Sequence, residues 1–237
     1  QLWGCHADPG LMERYAIVVA GGHGARMSSE IPKQFLPLCG EPVLAHTLRK
    51  FGSIGTEPIL VLHPDWINYW KDTSVTLDRL PVHRIVPGST TRAGSVYNGL
   101  NALPANGLVA VHDAARPLIS NSLIFNLFKQ AELLGNAVPV VECRDSLRQI
   151  DHNNSRAVDR SQFRIVQTPQ VFDLSLLKNA FEKGGFELYS DEASLVESIG
   201  VPIHLFPGEE SNIKITFPVD FKIAEAWLNS KGDSTGF

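Results

Sequence analysis

The chain is poor in cysteine and has no excess of positive charge. Its cysteines, Cys5, Cys39 and Cys143, are odd in number and far apart, with no Cys-x-x-Cys pair, and its eight histidines show no His-Glu-x-x-His spacing. That argues against a disulfide scaffold or a structural zinc site and for a reducing compartment, the cytoplasm. With 21 Lys and Arg against 25 Asp and Glu, the net charge is −4. No general attraction to nucleic acid or to an anionic membrane follows, so any bound anion needs a local cluster of cations. No apolar run approaches the roughly 20 residues of a membrane-crossing helix. Residues 1–14 lack the basic-then-apolar order of a signal peptide. Met12 reads as a natural start, and 1–14 are expected to be a leader or an appended segment outside the fold.

What is present is ordinary globular composition, 43% hydrophobic and 19% charged, enough for one large or two small domains. Short apolar runs at 15–20, 58–63 and 108–112 read as buried strands, and 82–86 and 137–141 as further strands. Between them lie helical patterns at 42–51, 92–103 and 121–134, the last capped by Ser120 or Asn121, then 173–183, 191–199 and a last helix opened by Pro218. This alternation predicts an α/β fold, a doubly wound and mostly parallel sheet in a single domain over 15–230. Ligands of such folds sit at the carboxyl ends of the strands, which puts the loops after Ala20 and His112 on one rim.

Residues 143–165 break the pattern. They are dense in charge around the turn signal His-Asn-Asn-Ser, with alternation near 146–150, and predict two strands joined by that turn. A core could not absorb these charges, so the segment is expected to project, either as a solvated hairpin or as an arm packed on another subunit.

The stretch AGGHGARMSSEIPKQF, residues 20–35, follows the first strand. It lacks the Gly-Lys-Ser/Thr of a Walker loop, and Met27 stands where a dinucleotide fingerprint has its third glycine. What remains is a glycine turn with Arg26 and Lys33. Backbone N–H groups exposed by glycines, an arginine fork and a mobile lysine can hold phosphates; an ordinary surface loop is the other reading.

Three further clusters weigh the choice. His112-Asp-Ala-Ala-Arg116-Pro ends a buried strand with an acid and a cation. Asp113 suits Mg²⁺, which takes one or two carboxylates plus substrate phosphates, or it caps a turn and pairs with Arg116. The segment from Gly88 through Arg92 to Ser95 offers small donors and a cation before a helix, either an anion site or plain capping. Asn212-Ile-Lys214-Ile-Thr216 puts a lysine in a short apolar strand, snorkelling or aimed at phosphate. No Ser/His/Asp arrangement stands out.

AGGHGARM with PKQF, then HDAARP, VDR, TPQVF, DEAS and NIKIT, in this order, resemble the 2-C-methyl-D-erythritol 4-phosphate cytidylyltransferases, from about Tyr15 to Leu228. The glycine-lysine loop is common to nucleotidyltransferases; HDAARP with VDR and DEAS is narrower. The resemblance implies a nucleotidyltransferase-type sheet and a homodimer in which the hairpin is an exchanged β-arm. It implies CTP and a sugar-alcohol phosphate as substrates, Mg²⁺ as cofactor, and no nucleic acid or membrane partner. By resemblance Ala20, Gly21, Gly22 and Gly24 wrap the nucleotide, Gly88 and Ser95 contact the cytosine, and Asp113 meets the ribose or metal. Arg26, Lys33 and Lys214 act on the α-phosphate as the catalytic cations. Arg116, Ser146 and Arg160 hold the sugar phosphate, the last two from the partner subunit. Serine replaces the family's usual threonine at 146, and the acid often found near Thr90 is absent. Asp191 falls in the family's acidic segment but is expected to cap a helix. The alternatives are a ribitol 5-phosphate cytidylyltransferase and a nucleotide-binding regulatory protein without catalysis. A dinucleotide-dependent dehydrogenase is disfavoured by the missing third glycine.

Overall fold

The computed structural model describes residues 12–21, 31–152 and 154–232. Its first half runs β1 (Arg14–Ala20), β2 (Pro37–Leu38), β3 (Glu41–Pro42), α1 (Val43–Gly52), β4 (Pro58–Leu62), α2 (Ile67–Ser74), β5 (Arg84–Pro87), α3 (Arg92–Asn101), β6 (Leu108–Asp113) and α4 (Asn121–Leu134). Then follow β7 (Asn136–Glu142), β8 (Leu147–Asp151), β9 (Asn154–Val158), β10 (Arg164–Val166), β11 (Gln170–Asp173), α5 (Leu174–Glu182), α6 (Glu192–Ser198), β12 (Leu205–Pro207) and α7 (Pro218–Gly232).

The main sheet has the order β10-β7-β11-β6-β1-β4-β5, with β12 paired to β7. The β6-β1-β4-β5 part is parallel throughout, as the alternation predicts. Strand β11 departs from it, running antiparallel between β6 and β7. It is only four residues long, the first three of them in the TPQVF motif, and no periodicity could announce it.

Both faces of the sheet are covered. Along β1, Ala16, Val18 and Ala20 pack towards α1, α2 and α4, while Ile17 and Val19 pack towards α3, α5 and α6. A strand buried on both sides has apolar residues in every position, which is why β1, β4 and β6 read as continuous runs. Each fully buried Leu, Ile, Val or Phe contributes about 1.5–3 kcal/mol. A smaller cluster of Leu38, Val43, Leu118, Ile215 and Ala224 seats α7.

Caps fix the helix ends. Thr91 accepts from the Gly94 N–H to start α3, Ser120 from Leu123 for α4, and Asp191 from Ser194 for α6. Helix α4 stops at Gly135, whose φ of 83° is the left-handed conformation that glycine adopts without a Cβ penalty. Helix α2 was not foreseen: its eight residues bury Trp70 and little else, leaving no helical stripe to read.

Strands β8 and β9 form a separate two-stranded sheet, exposed along most of its length. The hairpin therefore occupies the centre of the 143–165 segment, and Arg164–Val166 has already returned to the main sheet as β10.

Candidate active site

The parallel register sets the rim. Ala20 lies opposite Leu62 on one side of β1, and Val19 opposite Asp113 on the other. The Leu62 carbonyl accepts from the Gly88 N–H at 2.6 Å, and the Val19 carbonyl from Ala114 at 3.0 Å. The loops after β1, β5 and β6 therefore start side by side at the strands' carboxyl ends.

Two groups of side chains are built there. The first is centred on Ser95, which is fully buried. Its Oγ accepts from the Ser89 N–H at 3.0 Å and donates to the Thr91 carbonyl at 2.8 Å. A Cβ placed on Gly21 or on Gly88 would lie 3.1 Å from that same oxygen. Glycine at both positions lets the first and fifth strands' loops close on one hydroxyl. Ser95 thus supports the loop from within, its hydroxyl already engaged.

The second group is centred on Asp113, at the end of β6. Lys214 Nζ lies 2.7 Å from Oδ2, and Arg92 Nε 3.1 Å from Oδ1, with Arg116 Nε at 3.9 Å from Oδ2. Burial alone would raise this carboxyl. The charge of Arg92, then the charge and hydrogen bond of Lys214, then Arg116, outweigh it and hold the group well below the ordinary carboxylate range. Arg92 also forks onto buried Glu192, Nη1 to Oε1 at 2.7 Å and Nη2 to Oε2 at 3.0 Å. Burial opposes the Arg92 charge, but Glu192 and Asp113 override it and raise the pKa further.

Lys214 does not lie in a strand, as its apolar neighbours suggested. The segment is instead pinned to the loop after β6, Ile215 N–H donating to the Ala115 carbonyl at 2.9 Å. Lys33 Nζ donates to the Ile215 carbonyl at 2.5 Å, and Arg116 Nη1 to the Asn212 carbonyl at 2.7 Å. The amide of Gln34 donates to the Ala20 carbonyl at 2.8 Å, tying the end of β1 to the segment that carries Lys33. Ala20, Lys33, Asp113, Arg116 and Lys214 are thereby drawn to one rim from three segments far apart in sequence.

A neutral relay lies beneath them. His112 is fully buried, and its Nε2 faces the Arg116 carbonyl at 3.0 Å. A carbonyl only accepts, so Nε2 carries the proton and Nδ1 accepts from Thr168 Oγ1 at 3.2 Å. Thr168 in turn accepts from the Asp113 N–H at 3.1 Å. Burial pushes the imidazole pKa down to about 4.

Asp113 fits poorly as a metal ligand. Its Oδ1 is taken by Arg92 and its Oδ2 by Lys214, so a divalent cation there would face three positive side chains. Among the described residues, no three His, Cys, Asp or Glu side chains gather to hold a metal. The carboxylate is an anionic pin for cations.

Of the other expected residues, Ser146 and Arg160 are exposed, on the hairpin's base and just beyond it. Arg160 donates to the Arg144 carbonyl, and no described contact joins either residue to the Asp113 group. Gly22, Gly24 and Arg26 lie outside the described residues.

Residues 15–230 match the IspD family model, 2-C-methyl-D-erythritol 4-phosphate cytidylyltransferase. A curated protein of that name from Bacteroides thetaiotaomicron is 42% identical over 219 residues, covering 92% of this chain and 100% of its own length. The one from Azobacteroides pseudotrichonymphae is 44% identical over 223 residues, with 92% and 100% covered. Among solved structures, the Thermus thermophilus cytidylyltransferase superposes with a TM-score of 0.75 at 33% identity, covering 92% of this chain and 100% of that one. The Anaerococcus prevotii 4-diphosphocytidyl-2C-methyl-D-erythritol synthase gives 0.78 at 30%, covering 91% and 96%. This chain belongs to the IspD family.

Within this IspD chain, Gln34, Arg92, Thr168, Glu192 and Asn212 were missed or undervalued by sequence reasoning. Arg92 was read as a cation for an anion, yet its fork is spent on Glu192, a hundred residues away, and on Asp113. The only signal of the other four was membership in the short motifs PKQF, TPQVF, DEAS and NIKIT, where family likeness marks them but spacing gives no role.

Proposed function

We propose that this chain transfers a cytidylyl group from CTP to 2-C-methyl-D-erythritol 4-phosphate, giving 4-diphosphocytidyl-2-C-methyl-D-erythritol and pyrophosphate, a step of non-mevalonate isoprenoid precursor synthesis. The observation that carries the reading is that Lys33 reaches the backbone beside Lys214, with Nζ of Lys214 held by Asp113, at the carboxyl ends of β1 and β6.

A phosphate oxygen of the acceptor attacks the α-phosphorus of CTP. The bond from that phosphorus to the oxygen bridging to the β-phosphorus breaks, and pyrophosphate leaves with the electron pair. A phosphate monoester is already an anionic nucleophile near neutral pH, so no general base is needed. The protein's task is to bring two anions together and stabilise the charge that grows on the α-phosphoryl oxygens. Lys33 and Lys214, with Arg26 from the glycine turn, carry that role. Lys33 then exchanges the Ile215 carbonyl for a phosphate oxygen. Ala20, Gly21, Gly22 and Gly24 present backbone N–H groups to the triphosphate, and the Gly88 loop on its Ser95 bracket meets the cytosine. Mg²⁺ enters with the triphosphate as part of the nucleotide substrate.

Arg116 takes the acceptor's phosphate together with Ser146 and Arg160 of a partner subunit. A two-stranded hairpin alone is marginally stable in water. The exposed β8–β9 pair, with exposed Phe163, Ile165 and Val166 after it, supports a homodimer in which each arm packs on the other subunit. The free Cys39 and Cys143 support a cytoplasmic location. Among the described residues no helix is long and apolar enough to cross a membrane.

Product analysis by ³¹P NMR tests the acceptor. A diphosphate pair of resonances with methylerythritol phosphate and none with ribitol 5-phosphate is expected; the reverse assigns the ribitol reaction. CTP binding with no turnover on either acceptor assigns a regulatory role.

A further inference from the structure

The Arg92–Glu192 pair has no part in the roles assigned so far, although it is the most complete ion pair around Asp113. Arg92 offers a flat fork of N–H donors. Both terminal nitrogens are committed to the two oxygens of Glu192, at 2.7 and 3.0 Å. Glu192 is 2% exposed at the first turn of α6 and has its orientation fixed by that helix. With its plane set, the guanidinium directs Nε at Asp113 Oδ1, 3.1 Å away. That leaves Oδ2 turned towards Lys214 at 2.7 Å. Arg92 also opens α3, the helix that carries Ser95 one turn further on, against which Gly21 and Gly88 close.

We propose that Arg92 and Glu192 are positioning residues that set the rotamer of Asp113 and, through it, the place of the Lys214 ammonium. The inference rests on reading the rim as a cytidylyl-transfer centre. It assigns the pair to neither substrate: three of the five N–H donors of Arg92 are spent on Glu192 and Asp113, which fix the guanidinium in place. A lysine at 92 would keep the charge but not the fork, and cannot reproduce three directed bonds.

A double-mutant cycle between Arg92→Lys and Asp113→Asn tests this, with Glu192→Gln as a second entry point should the lysine variant not fold. In pyrophosphate-release kinetics, Arg92→Lys should lower kcat about 10-fold or more while the KM for CTP moves less than about 3-fold. In the Asp113→Asn background the same change should cost less than about 2-fold, because the group it acts through is gone. Glu192→Gln should follow the same pattern with a smaller loss. Crystal structures of the variants give a readout independent of activity: Lys214 Nζ should move out of hydrogen-bond range of residue 113. Additive losses in the cycle, equal losses in kcat and CTP affinity, or an unmoved Lys214 each overturn the proposal. A wild-type protein that releases no pyrophosphate with any acceptor instead removes the functional reading, while the Lys214 position still decides the structural claim.

Discussion

Lys33 Nζ donates to the carbonyl of Ile215, the residue that follows Lys214, at 2.5 Å. Two lysines separated by 181 positions in the chain are thereby set on neighbouring backbone. Since Lys214 Nζ is itself held on Asp113, the pair forms a preset positive face that needs little rearrangement to meet a phosphate.

Replacing Lys33 should therefore damage turnover more than binding. Lys33→Ala is expected to lower kcat by about 10²–10³-fold, the range for loss of one preorganised donor to a developing anion. The CTP dissociation constant, measured by calorimetry, should change about 10-fold or less. Equal losses would mean that Lys33 contributes only to ground-state binding.

The Gly88 loop gives a steric prediction. A Cβ at Gly88 would sit 3.1 Å from both the Leu62 carbonyl and Ser95 Oγ. The carbonyl belongs to a central strand and cannot yield, so Gly88→Ala should displace the loop. CTP titrations should then show about 10-fold weaker affinity, with a thermal unfolding loss of roughly 1–3 kcal/mol. Unchanged nucleotide affinity would separate this loop from base recognition.

Buried His112 sets a pH dependence of stability. Its pKa falls from 6.5 to about 4 on folding, chiefly through burial, so the unfolded chain binds more protons between those values. Its contribution is complete above 6.5 and is lost as pH drops towards about 4. The slope is about 1.4 kcal/mol per pH unit within that window, on the order of 3 kcal/mol in total. Urea unfolding of wild type and His112→Asn from pH 4.5 to 6.5 should show the steeper rise with pH in the wild type. Parallel curves would place a charged histidine in the fold.

How much of this could be read in the sequence follows from the range of each interaction. Strands β1, β4 and β6 are buried on both faces and so spell themselves out as apolar runs, and Ser120 and Asp191 cap the helices expected of them. The short β11 and the amphipathically weak α2 carry no such periodicity. In the site, Asp113 and Arg116 were legible because charged residues at the end of a buried strand stand out, and Lys33 and Lys214 because each is a lone cation beside apolar neighbours in a short motif. The fork of Arg92 on Glu192 was not, because a pair spanning 100 positions leaves no local pattern. Asp113 read as a metal ligand or as the partner of Arg116, because its other two cations arrive from α3 and from the segment before α7.

The arm predicts complementation between subunits. Dimers carrying Arg160→Ala in one subunit and Arg26→Ala in the other should recover about a quarter to a half of the wild-type turnover per dimer, since one of two shared sites stays intact. Tagged, purified heterodimers with no more activity than either parent would argue for sites built within one subunit.

The most direct test of the central claim is the initial rate of pyrophosphate release from each nucleoside triphosphate, with and without methylerythritol phosphate. Fast release is predicted only when CTP and methylerythritol phosphate are present together. Release from CTP without an acceptor, or none from CTP with it, would contradict the account.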